Sequence, residues 1–217
     1  MNRKRVAILI SGRGSNMEAL IAAAAQPAYP AEIVLVVSNR PDAAGLARAN
    51  SAGIATEIVD QALYPKNRDA FERAIQDKLE RHRVEIVCLA GFMRLLSPAF
   101  VEKWHGRMLN IHPALLPAFK GLDTHARALA AGAKIHGATV HLVAPEVDAG
   151  PILAQVAVPV RADDTAESLA ARVLEAEHRI YPAALQLLAA GRVRVVNSRC
   201  QIEGAADTDG ILVVPKL

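Results

Sequence analysis

Five short runs dominate the first half of the chain, at residues 6–10, 33–37, 56–59, 86–90 and 108–111. They are mostly apolar and rich in β-branched residues, so each reads as a strand buried on both faces. Between them, residues 16–25, 41–52, 67–81 and 98–103 carry alanine-rich or amphipathic patterns that read as helices. Doubly buried strands joined by helices leave one economical arrangement, a mostly parallel sheet covered by helices on both sides.

Beyond residue 130 the pattern changes. "HGATVHLV" alternates, a turn follows at Asp148-Ala149-Gly150, and "PILAQVAVPV" comes next, so these two segments read as antiparallel neighbours. Residues 165–190 form one long helical stretch capped by Thr165, and Pro182 inside it is expected to kink or divide the helix. "RVRVVNS" and "ILVVPKL" are expected to close the chain as a hairpin. The expected fold class is α/β, a Rossmann-like and mostly parallel central sheet flanked by helices, with antiparallel strands added in the C-terminal part. One domain over residues 1–217 is expected, because that length with 52% hydrophobic residues suits one core and leaves little for a second.

Charge and cysteine content narrow the function classes. The net charge of +3 comes without a basic block or interleaved aromatics, which argues against nucleic acid and is compatible with a small anionic substrate. Two cysteines, Cys88 and Cys200, make neither a disulfide framework nor a four-ligand zinc site. The N-terminal apolar run, residues 6–10, is too short for a signal segment or a membrane span. A reduced, cytoplasmic protein without a membrane anchor is expected.

The first strand runs straight into "SGRGSN", residues 11–16, and then a helix. Glycines there let backbone amides approach an anion at a helix N-terminus. The dinucleotide pattern G-x-G-x-x-G fails, since Met17 takes the third glycine's place and "VVSNRPD" lacks the ribose-binding acid. The Gly-Lys-Ser/Thr ending of a P-loop is also missing. A phosphate monoester is the simpler ligand, and a ligand-free glycine turn is the alternative.

In "LNIHP", Asn110 and His112 lie two apart and so project from one face of the fifth strand, at its carboxyl end, with Ile111 packed behind. The pair is expected to be displayed rather than buried. An amide beside an imidazole suits a developing oxyanion in acyl transfer, with the imidazole also able to move protons. A carboxylate that orients the ring would complete the set, and Asp148 in "APEVDAGPI" is the best candidate. A structural histidine and an ordinary turn aspartate remain the alternatives. His82 and His105 read as surface positions and His178 as structural. His136 and His141, five apart on one strand, should face opposite ways, and no metal-binding pattern is present.

Taken together, "ISGRGSN", "LAGFMRLLSPAF", "LNIHPALLPAFKG", "HGATVHLV", "EVDAGPIL" and "EAEHRIYPAAL" resemble the glycinamide ribonucleotide formyltransferase family, folate-dependent enzymes of purine synthesis. The resemblance runs from about residue 6 to residue 196. It implies a catalytic trio of Asn110, His112 and Asp148. It also implies a substrate-phosphate loop of Gly14, Ser15 and Asn16, with Glu177 near the substrate amine. For the folate it implies contacts from Arg68, Met93, Arg94, Leu95, Leu96, Asn110, Ala144, Pro145, Glu146, Val147 and Asp148, bordered by a mobile loop over residues 116–125. Asp123 stands where some members carry histidine and is given no role. The co-substrate implied is 10-formyltetrahydrofolate, the acceptor glycinamide ribonucleotide, the assembly a monomer or homodimer. Residues 1–105 would be the phosphate-binding half and residues 106–217 the catalytic and folate-binding half. Two related formyl-handling families share the trio but normally add an RNA-contacting or regulatory domain. A non-catalytic Rossmann-type binding module would leave the trio a coincidence.

Overall fold

Val6, Ala7, Ile8, Leu9 and Ile10 are all fully buried in the computed structural model, which describes residues 3–205 and 213–214. Their alternation sets the layers. Strand β1 (Lys4–Ile10) turns Val6, Ile8 and Ile10 to one face of the sheet and Ala7 and Leu9 to the other. Helices α1 (Ser15–Ala24), α2 (Ala44–Ser51) and α6 (Ala166–Ala189) cover the first face through Met17, Leu20, Leu46, Ala49, Tyr181 and Leu185. Helices α3 (Arg68–Arg81) and α4 (Pro98–Lys103) cover the second through Phe71, Ile75, Leu79 and Phe100. Each fully buried side chain of this size contributes roughly 1.5–3 kcal/mol, so both faces are driven closed.

The other strands are β2 (Ala31–Ser38), β3 (Thr56–Ile58), β4 (Ile86–Leu89), β5 (Met108–His112), β6 (Ile135–Leu142) and β7 (Ile152–Pro159). They form one sheet in the order β3-β2-β1-β4-β5-β6-β7. The first five run parallel, while β6 is antiparallel to β5 and β7 to β6, as the sequence pattern anticipates. The connection order reverses between β1 and β4, and sheets of this kind bind ligands at the carboxyl ends flanking such a reversal. A bulge at Val34 shifts the β1–β2 register, so Ile33 and Val36 face one core while Leu35 and Val37 face the other.

The structure departs from the sequence reading in four places. Helix α2 begins at Ala44 rather than at Pro41, because Arg40 closes a local ion pair on Asp42 and Ala43 is extended. Helix α6 keeps its Thr165 cap but is not divided at Pro182. The proline lacks only one backbone donor, and Tyr181, Ala184 and Leu185 around it are buried against the sheet. Helix α5 (Thr124–Ala130) was not anticipated. The C-terminal hairpin pairs β8 (Val193–Val196) with β9 (Arg199–Ile202), across Asn197 and Ser198. Both turn residues have positive φ, 50° and 59°, the twist that a two-residue hairpin favours. Most of "ILVVPKL", the expected hairpin partner, lies outside the described residues.

Candidate active site

The chain leaves β1 through residues 11–14 and enters α1 at Ser15. Gly14 is the N-cap residue at φ 77°, a left-handed conformation that glycine takes without strain. Gly14 also meets α2, since a Cβ there would sit 3.1 Å from the Gly45 Cα and 2.9 Å from the Met17 Cε. Close packing therefore demands this glycine as much as any ligand does. The first amides of α1 have no intrahelical acceptor, and they open on a cavity of about 350 Å³ that also takes in Arg13, Asn39, Arg40 and Gln61.

Helix α6 packs against α1 beside this cavity without lining it. Its Glu177 is buried and accepts a 2.6 Å hydrogen bond from the Asn16 amide. Burial raises the Glu177 pKa above the ordinary carboxylate range, and the Asn16 bond only partly opposes it. A carboxyl with a raised folded-state pKa binds its proton more tightly when folded. Stability therefore falls as pH rises through the window from the ordinary value to the raised one. Glu177→Gln keeps the acceptor for Asn16 without the charge. Its melting temperature should exceed that of the parent at neutral pH, and the gap should close as pH drops to about 4.5, the ordinary glutamate range. Thermal unfolding across that range checks the sign; a gap that widens on acidification would contradict it.

Strand β5 delivers Asn110 and His112 to the face opposite Leu109 and Ile111, and antiparallel pairing sets His141 beside Asn110 and Thr139 beside His112. The His141 Nδ1 lies 2.9 Å from the Leu142 carbonyl oxygen, which can only accept, so Nδ1 carries the proton. Its Nε2 then accepts from the Asn110 amide at 3.2 Å. Burial lowers the His141 pKa, in keeping with a neutral ring. The second N–H of Asn110 is left for the cavity.

His112 donates from Nε2 to the Phe119 carbonyl at 3.0 Å, and its Nδ1 faces the Asp148 Oδ2 at 3.4 Å. The same carboxylate accepts from the Gly121 amide at 2.9 Å and lies 3.8 Å from the His141 Nε2. Asp148 has φ 51° and Phe119 φ 53°, conformations uncommon outside glycine and concentrated at working sites. One expectation needs correction here. His112 is only 6% exposed, because the loop after β5 folds back and places the Phe119 carbonyl on its ring. Asn110 is half-buried.

The trio borders a second, mainly apolar cavity of about 770 Å³. Met93, Arg94, Leu95 and Leu96 line one wall, and Ala144, Pro145, Val147 and Asp148 another. Gly91 and Met93 line both cavities. Three expected contacts line neither cavity, the buried Glu177 among them. Glu146 is exposed and pairs with Lys120 at 3.2 Å, and Arg68 is exposed at the start of α3, lining neither cavity.

Reading by motif missed His141 and the buried Ser11, while Leu122, Thr124 and His125, within the expected bordering segment 116–125, do line the second cavity. The alternation of "HGATVHLV" could have flagged His141, but only with the β5–β6 register in hand. His136 lies apart from His141, against Phe119 and His125 with ring centroids 5.8 and 5.2 Å away, and burial depresses its pKa to about 4. Among the described residues no group of three or more His, Cys, Asp or Glu side chains could hold a metal, and no helix could cross a membrane.

The doubly wound sheet sets an anion-ready loop beside an amide–imidazole–carboxylate cluster on an apolar cavity, a Rossmann-like arrangement suited to group transfer. The chain belongs to the formyl transferase family, whose model matches residues 4–185. It is 55% identical over 193 residues to the trifunctional purine biosynthetic protein adenosine-3 of Bos taurus, covering 89% of this chain and 19% of that protein. The chain thus spans about a fifth of that relative's length. It is 42% identical over 199 residues to the phosphoribosylglycinamide formyltransferase of Escherichia coli K12, covering 92% and 93% of the two chains. The crystal structure of glycinamide ribonucleotide transformylase 1 from Symbiobacterium toebii superposes with a TM-score of 0.90 at 44% identity, covering 93% of this chain and 94% of that one.

Proposed function

We propose that this chain transfers the formyl group of 10-formyltetrahydrofolate to the amine of glycinamide ribonucleotide, a step of purine synthesis. One observation carries the reading. Asn110, His112 and Asp148 meet on an apolar cavity that adjoins, through Gly91 and Met93, the loop at the start of α1. A relative of matching length bears the name of that activity.

In this reading the substrate phosphate sits on the amides of Gly14, Ser15 and Asn16, and Glu177 with Asn16 orients the amine. The pterin lies between Met93–Leu96 and Ala144–Asp148. Arg68 would meet the folate only where it projects beyond the cavity. The uncharged amine attacks the formyl carbon, a C–N bond forms and the carbonyl becomes an oxyanion. The free N–H of Asn110 and the Nε2–H of His112 stabilise that oxygen, which takes the place of the Phe119 carbonyl as acceptor. Asp148 holds the ring through Nδ1. As the intermediate collapses, the C–N bond to the folate breaks, and the proton lost by the amine passes through water to the leaving nitrogen. No serine or cysteine nucleophile is required. The enzyme works in the cytoplasm as a monomer or homodimer. The first half of the chain serves the phosphate; the second serves the folate and the chemistry.

The test is to incubate the protein with both substrates and weigh the products. Glycinamide ribonucleotide heavier by one formyl group is expected. Free formate with unmodified ribonucleotide would mean a hydrolase instead.

A further inference from the structure

We propose that Ser11 is a positioning residue that holds the two substrate cavities in register. It rests on the formyl-transfer reading and extends it to a residue outside the trio. Ser11 is buried one residue beyond β1, and both capacities of its hydroxyl are engaged. Oγ donates to the Asn39 Oδ1 at 2.6 Å and accepts from the Met93 backbone amide at 2.7 Å. The Ser11 amide in turn donates to the Gly91 carbonyl at 3.2 Å. Asn39 is fixed as well, since its Nδ2 donates to the Gln61 Oε1 at 2.8 Å.

Gly91 and Met93 are the residues that line both cavities. They belong to the segment after β4 that has no regular ladder of its own, and Gly91 sits at φ 70°. Ser11 therefore clamps the strip between the amine and the formyl carbon to the rigid end of β1. An error there misplaces the two reacting atoms relative to each other, and rate is steeply sensitive to such misplacement. A hydroxyl with both partners satisfied inside the protein is not available to bind substrate, which separates this role from that of the phosphate loop.

The experiment compares the parent protein with Ser11→Ala and with Ser11→Thr, which keeps the hydroxyl. It reads steady-state kinetics for both substrates together with hydrogen exchange at the Met93 amide. In Ser11→Ala, exchange at Met93 should speed up at least about tenfold, and kcat/KM for the folate should fall about tenfold. KM for the ribonucleotide should stay within about twofold, because the α1 amides are untouched. Ser11→Thr should recover most of both losses. Unchanged exchange at Met93, or equal rises in both KM values, would overturn the inference while the formyl-transfer reading stands. No transfer by the parent protein would overturn both.

Discussion

Asp148→Asn is expected to lower single-turnover formyl transfer by at least about 10²-fold, with much smaller losses in the binding of either substrate. The geometry explains why the fold should survive the change. The Gly121 amide and the His112 Nδ1 both lie against the Asp148 Oδ2, and an asparagine oxygen in that place can still accept from both. A neutral amide there offers the ring no negative charge, while the bond from Nε2 to the Phe119 carbonyl is untouched. Structure is kept and charge is lost. The loss grows with the oxyanion and so falls on turnover. His112→Ala should be comparably damaging, and the double variant should lose little more than either single one, because the pair acts as a unit. Single-turnover transfer measured across pH for all three variants is the check. Near-normal turnover in Asp148→Asn would leave Asp148 an ordinary turn residue, and multiplicative losses would show two independent groups.

The second large effect is on stability and comes from Gly150→Ala. A Cβ at Gly150 would lie 1.8 Å from the Leu142 carbonyl oxygen and 2.9 Å from its carbon, both backbone atoms that cannot rotate aside. The obstruction falls where β6 ends and β7 begins, next to the bond from the Leu142 amide to the Pro151 carbonyl. Relief requires parting the two strands, at a cost of about 3 kcal/mol or more, a large share of a domain's 5–15 kcal/mol. Gly132→Ala is the matched control. Its φ of 67° imposes backbone strain of about 1–2 kcal/mol, but nothing lies within 4 Å of the new Cβ. Denaturant unfolding of both variants should therefore show Gly150→Ala clearly the worse. Equal losses would mean that the β6–β7 turn opens readily. Because Asp148 is two residues away, any Gly150→Ala protein that does fold should also transfer poorly.

Local periodicity carried most of the sheet. The first five strands and the helices between them were legible because doubly buried strands and amphipathic helices write their periods into adjacent residues. Asn110 and His112 were legible for the same reason: a spacing of two on a strand needs no partner to define a shared face. Asp148 could be singled out as a carboxylate in a glycine turn, while its role rested on resemblance. The Asn197-Ser198 turn was missed because neither residue demands positive φ as glycine does, and the hairpin was assigned a more distant partner.

By itself, then, the sequence determined the α/β layering, the anion-ready loop at the start of α1, and the shared face of Asn110 and His112. Each of these follows from interactions between residues close in the chain. Only the tertiary structure decided that His141 orients Asn110, that Phe119 covers His112, and that Ser11 grips Met93. These contacts join residues 31, 7 and 82 positions apart, through strand register or the path of a loop. Register is a sum over the whole packed sheet, and a slip of one residue would turn Asn110, His112 and His141 to the other face.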